Sequence, residues 1–420
     1  MKALLSGRAT APGDPTRLEV AHVDKTEALH GLREEWVRLC ARTREPHFFH
    51  GPDWAWHAWR DVAQGLGRKL CVITGRLDGR LVLVWPMMID RRTLRMLSSD
   101  TLEYRDIVVE DDPRSMDWMR QAWQAVRRLR GVDVFLLQNL RAPSNLDRLM
   151  RTLPGALPVG GGWCPVIRLG AHADWDAYSR HLPRSMLNDQ RRQWRRAREV
   201  LPDLGFEVLS GRERIAPMLD WILAHKVRWL EERGKNAAHF AGVPMRTLFE
   251  QVLGAAAGRG ELVLARLGGA NATVSAGFGY RFGRRFLFHV FVYDAAHARL
   301  SPSRLFLEGL VRWCLDNGVD EFDFMPGDEA YKAVWADDVV RTDSWAGALT
   351  PWGRVLLLKI ARPDLLRDVA APLRGVYARM PARLRRVLRE RLRALGVSEV
   401  ELRPRPAPPV APNPSAGVEP

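Results

Sequence analysis

Several side chains that can transfer protons lie close together near residue 330. The run EFDFMPGDEAYKAVW carries Asp323 and then, in five positions, Asp328, Glu329, Tyr331 and Lys332. The apolar residues before the Pro-Gly pair predict a strand, and the pair itself predicts a turn. In α/β folds, ligands usually bind at such strand ends. Carboxylates, a phenol and an amine at this spacing can act as general acids and bases. The alternative is a solvated turn without a chemical role.

A helix start just upstream has the features of an anion site. An almost continuously apolar strand ends at Tyr293-Asp294, and the spacing of apolar residues predicts a helix over 302–317. Ser301 is the expected N-cap residue and Pro302 fits the first helical position. A helix of this kind presents unpaired N–H groups and the positive end of its dipole at the first turn.

Two arginines strengthen the anion-site interpretation of this helix start. Arg299 precedes the predicted helix and Arg304 lies in its first turn. A helix N-terminus with added positive charge suits a phosphate group, and a pyrophosphate would fit. The alternative is a well-capped structural helix, which Gly318, at the position of a C′ glycine, would end.

The elements that must position these residues alternate between helices and strands. A hairpin is predicted from strands 70–77 and 80–90, joined by Asp78-Gly79. Three further strands, 261–267, 273–282 and 284–294, predict an antiparallel meander. Two stretches of similar size and element order indicate an α/β (α+β) protein in two parts. The predicted divisions are a flexible leader (1–16), an N-terminal domain (17–163), a C-terminal domain (164–350), a basic helical extension (351–402) and a disordered Pro-rich tail (403–420).

One predicted helix, over residues 185–200, is strongly basic. Its arginines repel one another at i, i+4 spacing, which costs a little stability and would be relieved by an acidic partner. The candidate partners are the phosphates of a cofactor, a nucleotide-linked sugar or a tRNA; the alternative is a solvated face. The arginines are Arg184, Arg191, Arg192, Arg195, Arg196 and Arg198.

These motifs together resemble a known family. The strand ending in YD, the S-P-x-x-L helix start and the D-F-x-x-G-D-E-x-Y-K-x-x-W run resemble GNAT-superfamily acetyltransferases of the cellulose- and exopolysaccharide-biosynthesis (CelD-like) type. These enzymes are related to Fem-type aminoacyltransferases. The H-K-x-x-W segment that begins at His225 also matches. The resemblance implies tandem GNAT-like domains with mixed central sheets flanked by helices, followed by a C-terminal helical extension.

The resemblance also implies an activity and a set of site residues. The donor would be acetyl-CoA or another acyl-CoA, held where strand 284–294 splays from strand 321–325. An amine or hydroxyl of a sugar, cell-envelope or polysaccharide precursor would attack the thioester directly. Asp323 or Asp328 would take the acceptor's proton, Tyr331 would protonate the departing thiolate, and Lys332 would fix the acceptor or a phosphate. The implied donor-binding residues are Val292, Tyr293, Asp294, Arg299, Ser301, Pro302, Ser303, Arg304 and Leu305, and the implied acceptor-binding residues are His225, Lys226, Trp229 and Arg192.

One departure from the family pattern keeps other functions open. Relatives usually have glycine after S-P, where this chain has Ser303, whose side chain would crowd a phosphate. Transfer from an aminoacyl-tRNA, the donor of Fem-type relatives, is the second hypothesis. A third is a non-catalytic module that binds an anionic polymer on a GNAT scaffold.

Composition narrows the classes of protein to which this chain could belong. The formal net charge is +15, carried by 57 arginines and seven lysines among 420 residues. This ratio is typical of a GC-rich genome, but it also fits an anionic partner. Four widely spaced cysteines and eleven histidines without HExxH predict neither a disulfide framework nor a metal site. Because no apolar run is long enough for a membrane helix or a secretion signal, we expect a cytoplasmic protein.

Overall fold

The computed structural model of this chain describes residues 18–44, 46–97, 104–234, 237–327 and 330–361. The chain divides into two compact units, Met1–Leu356 and Leu357–Pro420. The predicted leader and Pro-rich tail, and the helical extension beyond residue 361, lie outside the described residues, as do Asp328 and Glu329.

Thirteen strands are present in the described part of the chain. They are β1 (Glu19–Val23), β2 (Lys69–Leu77), β3 (Arg80–Asp90), β4 (Thr93–Met96), β5 (Val108–Val109), β6 (Val134–Arg141), β7 (Leu157–Ile167), β8 (Gly205–Leu209), β9 (Leu262–Gly268), β10 (Thr273–Phe282), β11 (Arg285–Tyr293), β12 (Glu321–Asp323) and β13 (Asp338–Ala348). The hairpin β2–β3 turns at Asp78 (φ 50°) and Gly79 (φ 76°), as predicted, since the favoured two-residue turn needs positive φ at both positions.

Helices of the described residues cover the strands on both faces. They are α1 (Thr26–Gly31), α2 (Arg33–Cys40), α3 (Pro52–His57), α4 (Ser115–Arg127), α5 (Asn145–Met150), α6 (Trp175–Ser179), α7 (Arg184–Val200), α8 (Ile215–Glu232), α9 (Ala238–Ala241), α10 (Val243–Gly258), α11 (Pro302–Asp316), α12 (Ala330–Trp335) and α13 (Pro351–Ala361). A π-helical turn, Ala58–Ala63, follows α3, and α11 is followed by Gly318 at φ 68°, as predicted.

The strands form one sheet in the order β1-β2-β3-β4-β6-β13-β7-β12-β11-β10-β9-β8, with β5 beside β3. The pairs β4–β6 and β11–β12 are parallel, and the other pairs are antiparallel. The predicted α/β class, with a mixed sheet flanked by helices, is confirmed. The predicted meander is also present, as β9, β10 and β11.

Strand β13 lies between β6 and β7 and pairs with both of them. It comes from the end of the predicted C-terminal domain, whereas β6 belongs to the predicted N-terminal one. Strand β7 itself crosses the predicted boundary at residue 163. The division of 17–350 into two domains stays a prediction.

Two hydrophobic clusters lie on opposite faces of the sheet around β11. Helices α8 and α10 contribute Leu219 and Phe249 to the first cluster, together with Leu287 of β11. Helix α11 contributes Phe306 to the second cluster, where it meets Phe286 of β11. Because the side chains of a strand alternate between faces, β11 is held from both sides and its backbone is fixed in place.

Candidate functional site

Strands β11 and β12 pair over only three positions, from Arg285 opposite Glu321 to Leu287 opposite Asp323. Strand β11 continues to Tyr293, whereas β12 ends at Asp323. The two strands therefore part beyond the third pair, as predicted. We call the gap between them the wedge. Peptide groups of β11 that do not bond to β10 point into the wedge, because a strand's hydrogen-bonding groups alternate between its two edges.

The strands part because the chain after β12 stays bonded to β7. The amide of Phe324 donates to the carbonyl of Pro165 at 3.1 Å, which carries the backbone away from β11. On the other side, β11 has one extra residue, His289, opposite β10. Such a bulge bends the strand that contains it.

Ser301 occupies the N-cap position of α11, as predicted, but its side chain does not cap the helix. The residue is left-handed, with φ 53° and ψ 48°, and its side chain makes no capping hydrogen bond. Its carbonyl accepts the amides of Arg304 (3.0 Å) and Leu305 (3.4 Å). Pro302 occupies the first position, as predicted, and has no N–H. Of the first-turn amides, only that of Ser303 has no acceptor in the described residues.

A cavity of about 420 Å³ lies at this helix start. We call it the α11 cavity. Its wall includes Ser303 and Arg304 from α11, Met186 and Asp189 from α7, and Tyr331 from α12. The Arg304 guanidinium pairs with Asp189, whose carboxylate also pairs with Arg192. The wall of the cavity thus combines Ser303, whose amide has no acceptor in the described residues, and Arg304 of α11 with the phenol of Tyr331 of α12.

Of the other donor-binding candidates, some could contact the donor through their side chains and others only through their backbone groups. Val292 and Leu305 are buried in the core. The Asp294 carboxylate accepts the amide of Ala296 at 3.0 Å and lies 3.2 Å from His297 Nδ1. Although burial opposes it, these two contacts lower the pKa of Asp294.

Tyr293 and Arg299 complete the donor-binding candidates. Tyr293 is the half-buried last residue of β11. Arg299 lies in the 3₁₀ turn Ala295–Leu300, just before α11, and its side chain is exposed. Both residues therefore lie at the open end of the wedge.

Asp323 is fully buried and held by three donors. Tyr104 Oη donates to one carboxylate oxygen at 2.7 Å, and so does the amide of Met325, also at 2.7 Å. Arg141 Nε donates to the other oxygen at 2.9 Å. Burial raises the pKa of this carboxyl group, although Arg141 opposes the rise. Arg141 also donates to Glu321 at 2.7 Å.

The two described site candidates beyond the Pro-Gly turn, Tyr331 and Lys332, lie in different surroundings. Tyr331 lies in the wall of the α11 cavity, with its ring 6.3 Å from that of Phe324. Lys332 is buried, and its Nζ donates to the carbonyl of Met325 at 3.5 Å. Lys332 thus holds the chain that leaves the wedge.

The H-K-x-x-W residues lie on α8. His225 Nδ1 lies 2.8 Å from the carbonyl of Trp221. Lys226 Nζ lies 4.6 Å from the Trp229 ring centre. A cation at this distance is attracted by the ring. Helix α8 shares the first hydrophobic cluster with Leu287 of β11, and the acceptor-binding role of these residues stays a prediction.

Tyr104 and Arg141 are residues that the sequence reasoning missed. Both come from the N-terminal half, 219 and 182 positions from Asp323. Isolated Tyr and Arg residues give no local signal, and only the sheet order brings them to the wedge. Their contacts show that the N-terminal half contributes directly to this site.

Within the part of the chain that the structure describes, no three His, Cys, Asp or Glu side chains are grouped to hold a metal ion. The described helices also include none with the length and apolar character that a bilayer span requires.

Comparisons with known proteins agree with this architecture. Residues 184–333, which contain the wedge strands, α11 and Tyr331, match the family model described as "Acetyltransferase (GNAT) domain". The described fold is similar to the crystal structure of FemX, at 10% identity and a TM-score of 0.55, over 80% of this chain and 99% of that chain. No curated protein sequence matches this chain.

Two further solved structures are similar. A C-terminal DUF2156 domain from Agrobacterium fabrum has 13% identity and a TM-score of 0.50, over 79% of this chain and 96% of that chain. A tandem GNAT protein from the clavulanic acid biosynthesis pathway has 14% identity and a TM-score of 0.46, over 79% and 99%. At these identities the likenesses to FemX and to the DUF2156 domain show the fold alone, and residues 184–333 are similar to a GNAT acetyltransferase domain.

Proposed function

We propose that this chain is an acyl-CoA-dependent acyltransferase that moves an acetyl group to an amine or hydroxyl of a sugar, cell-envelope or polysaccharide precursor. The observation that carries the proposal is the wedge between β11 and β12, together with the α11 cavity at the start of the helix that follows β11. Both wedge strands and α11 lie within the region that matches the GNAT domain. The acceptor class and the CelD-like type rest on the sequence resemblance. We expect a cytoplasmic location, because acyl-CoA donors are available there.

The α11 cavity fits the phosphate groups of the donor. The amide of Ser303 and the guanidinium of Arg304 line it, and the exposed Arg299 lies just before the helix. Anions bind well where a free amide at a helix start is joined by arginine. The acyl end would extend into the wedge, where peptide N–H groups of β11 would hold the thioester oxygen. Each such donor stabilises a developing oxyanion by about 3 kcal/mol.

The transfer needs no covalent intermediate on the enzyme. The acceptor's nitrogen or oxygen attacks the thioester carbon, the C–S bond breaks, and the electron pair leaves on sulfur. Tyr331, in the cavity wall, is placed to protonate that thiolate. Asp328 remains the candidate to take the acceptor's proton. Asp323 is fully buried with three donors, which favours a positioning role: it holds Tyr104, Arg141 and the backbone of Met325.

Donor binding is the direct test. A ligand that binds the folded state raises the melting temperature with its concentration. We expect this rise with acetyl-CoA, and we expect Arg304→Gln to weaken acetyl-CoA binding about tenfold. Arg312→Gln is the matched control, because Arg312 also lies on α11 and pairs with one carboxylate, Glu308, outside the cavity. A melting temperature that stays flat up to millimolar acetyl-CoA would refute the proposal.

The second candidate is transfer from an aminoacyl-tRNA. Helix α7 exposes Arg191, Arg195 and Arg198, and a tRNA backbone would suit this surface. Binding of tRNA that weakens steeply with salt, together with no response to acetyl-CoA, would favour this donor.

A further inference from the structure

A second, smaller cavity of about 220 Å³ is lined by an unusual concentration of arginine. It contains no residue of the α11 cavity. We call it the arginine cavity. Five guanidinium groups line it, together with the side chains of two buried histidines. The arginines are Arg44, Arg105, Arg141, Arg148 and Arg285, and the histidines are His47 and His50.

Two arginines of this cavity have no carboxylate partner among the described residues. Arg141 pairs with Asp323 and Glu321, and Arg285 pairs with the same Glu321. No carboxylate of the described residues pairs with Arg44 or Arg148, both of which are exposed.

Asp106, the one carboxylate among the described lining residues, already accepts hydrogen bonds from the backbone. It accepts the amides of Ile107 (2.8 Å), Asn145 (2.8 Å) and Leu146 (2.7 Å). Because its oxygens are engaged by these amides, Asp106 does not pair directly with Arg44 or Arg148.

Buried polar atoms in the same cavity also lack partners. His50 is 4% exposed, and neither of its ring nitrogens has a hydrogen-bond partner; the same holds for Nδ1 of His47. Buried polar groups normally find partners, so these nitrogens indicate a missing ligand or ordered water. The space equals roughly seven water molecules at liquid density. That is enough for one small oxyanion with its first attached atoms.

From these observations we propose that the arginine cavity binds a phosphate monoester carried by the acceptor. A phosphate monoester carries nearly two negative charges at neutral pH and accepts several charge-assisted hydrogen bonds, which suits the guanidinium groups of Arg44 and Arg148 and the unpartnered ring nitrogens of His50. The cavity reaches the wedge through Arg141, which holds Asp323 at 2.9 Å, where the strands part. Assigning the phosphate to the acceptor rests on the proposed function; the anion site itself does not.

Binding of inorganic phosphate tests the site. The full chain is melted at increasing phosphate with sodium chloride adjusted to a fixed ionic strength. We expect the melting temperature to rise, the affinity to fall about tenfold in Arg148→Gln and binding to be lost in the Arg44→Gln, Arg148→Gln double variant. Arg127→Gln, an exposed arginine of α4 outside the cavity, is the control and retains the wild-type rise. No rise in the wild type, or an equal rise in every variant, overturns the proposal.

Two further measurements separate this inference from the proposed function. Acetyl-CoA is titrated in the same variants: because the α11 cavity is separate, the rise of the melting temperature with acetyl-CoA persists in the double variant. With acetyl-CoA at saturation, we expect phosphate to raise the melting temperature of the wild type further. If that further rise is absent, phosphate binds only the donor's site, and the inference is overturned. A melting temperature that rises with phosphate but not with acetyl-CoA would support the anion site and refute the acyltransferase proposal.

The acceptor assignment is tested with matched amines. Glucosamine and glucosamine 6-phosphate are offered with acetyl-CoA, and we expect kcat/KM to favour the phosphate ester at least about tenfold in the wild type and in Arg127→Gln. The preference disappears in the double variant. Equal kcat/KM for the two amines would overturn the assignment to the acceptor.

Discussion

His50 is a neutral, buried histidine in a positively charged setting. Burial lowers its pKa, the nearby Arg285 acts in the same direction, and together they bring the pKa to about 3. In the unfolded chain its pKa returns to about 6.5. Below pH 6.5 the unfolded state therefore binds a proton that the folded state does not, and stability falls as the pH drops toward 3. The loss is about 2–3 kcal/mol at pH 4.5.

Replacing this histidine removes that part of the acid sensitivity. In His50→Phe, we expect the free energy of unfolding to fall less between pH 7 and pH 4.5 than it does in the wild type. Urea unfolding at several pH values measures the difference. His22→Gln, at an exposed position of β1, serves as control and keeps the wild-type pH dependence. If the unfolding free energy of His50→Phe depends on pH as that of the wild type does, the conclusion that His50 is buried in its neutral form is wrong.

We propose Tyr331 as the residue that protonates the leaving thiolate of the proposed reaction, because its side chain lines the α11 cavity. We expect Tyr331→Phe to lower kcat about 100-fold with little change in acetyl-CoA affinity, since general-acid catalysis contributes 10²–10⁴-fold. The control is Tyr178→Phe. Tyr178 donates to the backbone of Trp335 at 2.6 Å, so its loss lowers stability by about 1 kcal/mol and leaves kcat unchanged. Unchanged turnover in Tyr331→Phe would remove the acid role.

At the scale of elements, the start of α11 illustrates how a local pattern misleads. The S-P pair is typical of a capped helix, yet the 3₁₀ turn Ala295–Leu300 delivers the chain to Ser301 in a left-handed conformation. That conformation costs L-residues roughly 1–2 kcal/mol. We therefore expect Ser301→Gly to raise the free energy of unfolding by about 0.5–1 kcal/mol, after allowing for the added freedom of the unfolded chain.

A serine that does cap its helix can be compared with Ser301. Ser144 does cap a helix, since its Oγ accepts the amide of Asp147 at 2.9 Å at the start of α5. Ser144→Ala should lose about 1 kcal/mol of unfolding free energy, whereas Ser301→Ala should change it little. Chemical denaturation measures all three variants. An equal loss in the two alanine variants would show that Ser301 does act as a cap.

Elements with local signals could be predicted from sequence, and those defined by distant partners could not. The Asp78-Gly79 hairpin and the stop at Gly318 each depend on neighbouring residues and were predicted correctly. The arginine cavity depends on side chains from four separate segments, 44–50, 105–106, 141–148 and residue 285. The contact between Arg141 and Asp323 joins residues 182 positions apart, and no spacing in the sequence indicates it.

The candidate site, too, could be predicted only in part. Its wedge was expected from the family resemblance, and the structure shows the strands parting after three pairs. The placement of Asp323 did not follow, because its burial depends on Tyr104 and Arg141 of the N-terminal half. A motif gives a residue's neighbours along the chain, whereas its protonation and access depend on contacts across the sheet.

At the scale of the whole molecule, β13 joins the two halves of residues 18–356. It pairs with β6 on one side and β7 on the other. Its Trp345 lies in the N-terminal core, 6% exposed, and its Nε1 donates to Asp147 at 2.8 Å. On the other side of the sheet, Phe48 of the N-terminal half stacks on Tyr280 of β10 at 3.6 Å between ring centres. These contacts couple the halves mechanically, so we expect them to unfold together.

Trp345→Ala tests this coupling. Truncating a buried tryptophan costs about 3–5 kcal/mol, and because the halves share one sheet the loss should reach strands far from the substitution. We expect one calorimetric transition at a lower temperature. Hydrogen exchange should show similar losses of protection in β2–β3 and β10–β11. Trp163→Ala, at a 63% exposed position of β7, is the control and should stay within about 0.5 kcal/mol of the wild type. If only residues before 164 lose protection, the halves fold independently and the wedge does not depend on the N-terminal core.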